Sequence, residues 1–398
     1  MKPTKLAYLL ATALVASSCV NDDTDFSDII NNDSEEERYD IKTIAFDNSP
    51  LAEPAETVPA ADNDYVENNT FNYHVNIVFA ENSATVSGDI NFVTVNKNGA
   101  HVTIRSAMKG IDYTLSGSSS NASLKVYSEY KYRIVLNGVN ITNPKGAAIN
   151  NQCGKSLYFT LADGTSNTLA DGEQYDVPAN AEDMKGTLFS EGQIIFDGKG
   201  TLTVNAKAKN AIASDDYIIF RPGSQFTISS AVGNGVKAND GVSVRGSVLN
   251  IAIDGDAAKG INSEAFVDIT GGRTTIITKG NAVTQGIDTS SCAGIKADST
   301  ITVTAGAVNI LSSGSGSKGL NANMDIALKG GEINIVATGK AETSTPKGIK
   351  SDMNISIEGG YIYCFCANGK PIEATGNHSI APNYALFTNR HKLVELKY

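Results

Sequence analysis

Tryptophan is absent from this chain of 398 residues, and histidine occurs at only four positions, His74, His101, His378 and His391. They are scattered rather than clustered, which argues against a zinc site or a histidine base. Positive charge is also scarce. Lys and Arg number 32 against 43 Asp and Glu, a formal net charge of -11. That balance disfavours nucleic acid and anionic lipid surfaces as partners, since both need a basic patch. It favours cations, and ligands reached through cations. Beyond the amino terminus no run is long and apolar enough to span a bilayer. Cysteine is sparse as well. Cys153, Cys292, Cys364 and Cys366 are expected as buried small hydrophobes, and the last two share one face of a strand-like run.

The amino terminus carries a specific signal. Lys2 and Lys5 precede an apolar run from Leu6 to Ala16, followed by Ser17-Ser18-Cys19. This has the charge, length and small-residue cleavage site of a secretory signal over 1–18. Cys19 after Ala-Ser-Ser resembles a bacterial lipobox, which implies a lipidated Cys19 and membrane attachment through the lipid alone. Residues 19–65 are acidic and rich in proline and alanine. They read as a disordered tether on an outer-membrane lipoprotein facing the cell exterior.

What the chain has in abundance is glycine, 37 residues, and a recurring phrase. The copies are Asn210-Ala-Ile-Ala-Ser-Asp, Asn234-Gly-Val-Lys-Ala-Asn, Lys259-Gly-Ile-Asn-Ser-Glu, Ala293-Gly-Ile-Lys-Ala-Asp, Lys318-Gly-Leu-Asn-Ala-Asn and Lys347-Gly-Ile-Lys-Ser-Asp. Their small residues, Ser214, Ala238, Ser263, Ala297, Ala322 and Ser351, are separated by 24, 25, 34, 25 and 29 residues. The longer steps are a basic step plus an insertion. Such a period signals a solenoid.

Between copies lie two alternating runs, such as Val242-Ser-Val and Val248-Leu-Asn-Ile-Ala-Ile, separated by glycine-containing turns. Alternation, β-branching and glycine punctuation specify strands. Three short strands in about 24–25 residues make one coil of a parallel β-helix, and parallel crossovers are right-handed. The fold expectation is therefore all-β, a right-handed single-stranded parallel β-helix of eight to ten coils. Its parts are capping strands and first coils over 66–145, a regular helix over 146–366 and a cap over 367–398. Period 2 sends Ile261 and Ser263 inward, and Asn262 and Glu264 outward.

The order Leu136-Asn-Gly-Val-Asn-Ile, Gly146-Ala-Ala-Ile, Asn167-Thr-Leu-Ala-Asp-Gly, Leu188-Phe-Ser-Glu-Gly and Gly198-Lys-Gly-Thr-Leu-Thr-Val, then the repeated phrase, resembles a known family. It is the bacterial carbohydrate-binding parallel β-helix family, related in fold to calcium-dependent, family-9 polysaccharide lyases. The resemblance spans about Asn72 to Cys366. It implies a calcium-containing β-helix that binds plant-wall polysaccharides, pectin-like or cellulose-like, without established catalysis.

The position after each small residue carries Glu191, Asp215, Asn239, Glu264, Asp298, Asn323 and Asp352. Two readings are open. Asp and Asn suit solenoid turns for backbone reasons alone, whereas carboxylates stacked about 4.8 Å apart repel unless a cation lies between them. Asp215-Asp216 and Asn239-Asp240 fall one coil apart and are the candidate Ca2+ ligands, with Glu191 and Glu264 extending the group. The resemblance to the lyases points to the same pairs. Asp254 and Asp256 form a second candidate group.

Lys237, Lys296 and Lys350, with Lys259, Lys318 and Lys347 nearby, either neutralise this column or contact ligand. Lys237 is the candidate base should the protein be a β-eliminating lyase. Tyr217, Lys237 and Lys296 are the candidate ligand contacts. Tyr175, Tyr361 and Tyr363 are further aromatic candidates. The expected function is calcium-assisted, non-catalytic polysaccharide binding by a monomer. A polysaccharide lyase and a structural surface adhesin are the alternatives.

Overall fold

The computed structural model describes residues 41–52, 56–178 and 182–381, with the backbone of 385–389 and 392–394. The signal segment and Cys19 lie outside these residues. The expectation of an all-β parallel helix is met, with about 11 turns.

Each coil contributes one strand to each of three parallel stacks. The coil from Asn210 shows the order. Asn210–Ser214 enters the third stack, Tyr217–Phe220 the first and Gln225–Ser230 the second. The chain then returns to the third stack at Val236–Ala238, one coil on. The repeated phrase forms the third stack, where Ser190, Ser214, Ala238, Ser263, Ala297, Ala322 and Ser351 lie in continuous register. The coil count exceeds eight to ten because Ala100–Ser106, Ala122–Ser128 and Ile149–Asn151 are already parallel rungs of this stack. The start is capped by Tyr73–Ala80, antiparallel to Ser83–Gly88. At the far end Ala385–Asn389 pairs antiparallel with Lys392–Val394.

The interior is a ladder of apolar side chains stacked on like side chains. Ile251, Ile276, Ile310, Ile335 and Cys364 sit in one row, fully buried. This row explains the glycine of the phrase. A Cβ at Gly235, Gly260, Gly294 or Gly319 would run into the Cγ2 of the facing Ile251, Ile276, Ile310 or Ile335. Glycine and the following isoleucine therefore both face inward, so the phrase reads out-in-in-out-in-out from its first lysine. The four described cysteines are free and buried, as the sequence led us to expect. Burial pushes the Cys366 thiol up to about 12.

The tether expectation is corrected over residues 41–52 and 56–65, which run as a strap along the outside of the first two stacks. Lys42 Nζ donates to Asn334 Oδ1 at 2.6 Å and lies over the Tyr361 ring. Asp47 pairs with Arg273 at 3.1 Å, and Glu56 with Arg221 at 2.9 Å. Asn69 donates to the Tyr158 hydroxyl at 2.8 Å. Read as a segment this stretch is acidic and aperiodic, but its acids match arginines spread over several coils. That complementarity, not local propensity, orders it.

Beneath the strap, Asp197 is 6% exposed, and its carboxylate oxygens have no hydrogen-bond partner. Burial pushes its pKa from 3.8 up to about 6. The folded state therefore holds a proton that the unfolded state has lost between about pH 4 and 6. Stability contributed by this group is present at low pH and is lost as pH rises through about 6. At roughly 1.4 kcal/mol per unit, the span is up to about 3 kcal/mol. Urea unfolding of Asp197→Asn across pH 4–7 should lack this component of the slope; an unchanged slope would refute the assignment.

Candidate functional site

The described residues of the excursion between Ser166–Asp171 and Gly186–Ser190, 172–178 and 182–185, line a cleft of about 470 Å³. It is a pinned structure. Asp171 is buried and accepts bonds from the Tyr175 hydroxyl at 2.7 Å, Thr187 Oγ1 at 3.0 Å and the Lys207 amide at 2.6 Å. Burial raises the Asp171 pKa against those bonds. Glu182 takes Lys125 at 2.8 Å and the Tyr127 hydroxyl at 2.5 Å. Lys209 Nζ reaches the Met184 carbonyl at 2.7 Å and lies 5.0 Å from the centre of the Tyr175 ring. The result is a cleft with one aromatic wall and charged rims.

The cleft opens beside the first rungs of the acidic column. Glu191 and Asp215 are neighbours in register, and Asp183 swings in from the excursion. Oxygens of these three carboxylates lie within 4.8 Å of one another, the one such group of three among the described residues. Lys185 lies among them, donating to Asp215 at 2.6 Å and Asp183 at 2.8 Å. Burial raises the Glu191 pKa first, and repulsion from Asp215 and Asp183 adds to it. Burial pulls Lys185 down, but its bonds to Asp183 and Asp215 outweigh that and leave it raised. Three carboxylates against one ammonium leave a formal charge of -2.

The expected four-residue calcium cluster is not assembled in that form. Asp215 turns toward Lys185. Asp216 turns the other way, accepting the Tyr217 amide at 2.9 Å. Burial raises the Asp216 pKa, and Asp240 and Asp64 raise it further. Adjacent residues at the end of a strand face opposite sides, so the corner separates the pair. Asn239 follows Asp215 in the column. Glu264 pairs with Lys237 at 2.9 Å, and Lys296 pairs with Asp298 while donating to Asn323 at 2.8 Å. Asp254 is taken by Lys279 at 2.9 Å, and Asp256 accepts the Asn281 amide at 2.7 Å.

Tyr217 is a strap contact rather than an open sugar platform. Its hydroxyl donates to Asp64, and its ring packs on Tyr158, Ile195 and Ile219. Tyr363 is buried, whereas Tyr361 is 49% exposed. Asp183 was not legible in the sequence, because it lies in the excursion and belongs to no repeat position.

A family model for carbohydrate-binding domain-containing proteins matches residues 98–284 and 251–335. The chain belongs to this family. A relative named carbohydrate-binding domain-containing protein, from Acetivibrio thermocellus, is 36% identical over 108 residues. The aligned part is 26% of this chain and 37% of that relative, so the chain spans just over a third of the relative's length. A solved structure of a polysaccharide lyase-like protein from C. thermocellum, a gadolinium derivative, aligns over 78% of this chain and 98% of its own, with 21% identity and a TM-score of 0.44.

Proposed function

We propose that this carbohydrate-binding domain protein binds a plant-wall-type polysaccharide without cleaving it, using the excursion cleft and the third-stack face beside it. The observation that carries the reading is a coincidence in position. The family match over 98–284 contains every lining residue of the cleft. Pockets with an aromatic wall and convergent polar groups suit sugars, whose faces are apolar and edges polar.

The chemistry of the donor set fits calcium. Asp183, Glu191 and Asp215 are hard oxygen ligands with a residual charge of -2, and they would hold the ion in exchange for Lys185. A bound calcium would supply positive charge for an acidic sugar. Lys237 gains no support as a lyase base, since it is engaged by Glu264 on an open face. The Ser17-Ser18-Cys19 sequence supports lipidation at Cys19 and display at the outer membrane.

Calcium at about 100 times its Kd should raise the melting temperature by a few degrees, and chelator should reverse it. Asp215→Asn should abolish that shift, and an identical shift in the variant would remove calcium from this site. In affinity electrophoresis, Lys209→Ala should weaken retardation by polysaccharide. Unaltered retardation would move the site away from the cleft.

A further inference from the structure

The outward columns of the third stack change sign along the helix. At the first rungs the group around Asp215 is negative. From Lys237 to Thr375 the outward positions hold seven lysines, 237, 259, 296, 318, 347, 350 and 370, against four acids, Glu264, Asp298, Asp352 and Glu373, which gives 7 − 4 = +3 in a chain of net charge -11. Most of these lysines are ion-paired. Lys237 has Glu264, Lys296 has Asp298, Lys350 has Asp352, and Lys347 and Lys370 share Glu373.

Lys259 and Lys318 differ, having no carboxylate within ion-pair distance among the described residues. Both are half-buried. Hydroxyls at the end of the inserted hairpin hold them instead. Lys259 Nζ donates to Ser290 Oγ at 3.0 Å and the Ala257 carbonyl at 2.6 Å, and Lys318 Nζ donates to Ser291 Oγ at 2.6 Å. The insertion of the 34-residue step, with strands Val283–Gln285 and Asp288–Ser290, thus positions two cations that lack a direct ion pair among the described residues and feel only the more distant carboxylates of Asp298, Asp352 and Glu373. They stand two rungs apart in one column, about 10 Å at the usual strand spacing. Burial, with Lys350 and Lys347 adding, lowers Lys318 to about 8. Burial, with Lys296 adding, lowers Lys259. On the strand of Lys318, and between Lys296 and Lys350 in the neighbouring outward column, Asn321 is 7% exposed, and its Oδ1 has no hydrogen-bond partner.

We propose that Lys259, Lys318 and Asn321 form a subsite for the uronate units of a polysaccharide, with the two ammoniums taking carboxylates and Asn321 Oδ1 accepting a sugar hydroxyl. This rests on the reading of the chain as a polysaccharide binder. Desolvated, unpaired ammoniums are costly to maintain, and a polymer bearing regularly spaced carboxylates would neutralise both. The subsite needs no metal and lies coils away from Asp215.

The test is binding of the full chain, in saturating calcium, to polygalacturonate and to its fully methyl-esterified form. The Lys259→Met/Lys318→Met double variant should bind polygalacturonate at least about tenfold more weakly. The Arg/Arg variant should stay close to wild type, and the esterified polymer should not respond to any of these changes. Wild-type affinity should also fall with added salt, a readout that does not depend on how the variants fold. Salt-insensitive binding, or equal affinity in the Met/Met variant, overturns this subsite while leaving polysaccharide binding in place. Absence of wild-type binding to both polymers overturns the functional reading itself, and the subsite with it.

Discussion

Gly314→Val should destabilise the helix by about 3 kcal/mol or more in urea unfolding. Gly255, Gly280, Gly314 and Gly339 occupy one corner in successive coils. A Cβ on each would fall inside the carbonyl oxygen of the preceding coil, that of Val232 for the first and of the previous glycine for the rest. Those oxygens are backbone atoms of the coil below rather than flexible side-chain ends, so relief requires the backbone of neighbouring coils to shift. Gly154 is the control, because nothing lies within 4 Å of its Cβ direction. Gly154→Ala should change stability by no more than about 0.5 kcal/mol. Equal effects at the two positions would contradict this account of the corner. Since a solenoid couples only neighbouring coils, hydrogen exchange should rise first in the coils next to Gly314.

Arg221→Met should release the strap at a cost of about 3–5 kcal/mol. Arg221 is 4% exposed and donates to Glu56 at 2.9 and 3.1 Å and to Glu67 at 2.8 and 2.9 Å. Its guanidinium lies 4.5 Å from the centre of the Tyr65 ring and 4.0 Å from Asp197. Methionine fills part of the volume but leaves Glu56 and Glu67 without their cation and Asp197 exposed to repulsion from Glu67 in a partly dry site. The strap is the weaker partner, because it contributes no strand to the stacks. Limited proteolysis should therefore cut near residues 56–69 while the circular dichroism of the coils persists. A strap that stays protected would show that its apolar contacts, such as Phe71 on Tyr158, suffice without the arginine.

The helix was legible because each coil repeats its instructions. Inward Ile and Ser or Ala, and outward Asp or Asn, recur at fixed offsets, and the backbone pairs them as the spacing dictates. The phrase glycine was harder to read, since its inward direction follows from Ile276 and its stacked equivalents across the coil, not from period 2. The site was legible only in part. Glu191 and Asp215 lie where the column puts them, but Asp183 and Lys185 arrive from an excursion that no repeat predicts. Asp216 faces away from Asp215 because successive residues at the end of a strand point to opposite sides. The strap escaped recognition because its partners, from Arg221 to Asn334, are hundreds of residues distant in sequence.

The most direct test of the functional account is affinity electrophoresis of the full chain through gels holding individual soluble polysaccharides, with calcium or with chelator. Retardation by at least one plant-wall polymer, strongest for polygalacturonate and weakened by chelator, is the predicted result. Unretarded migration in every gel would contradict it.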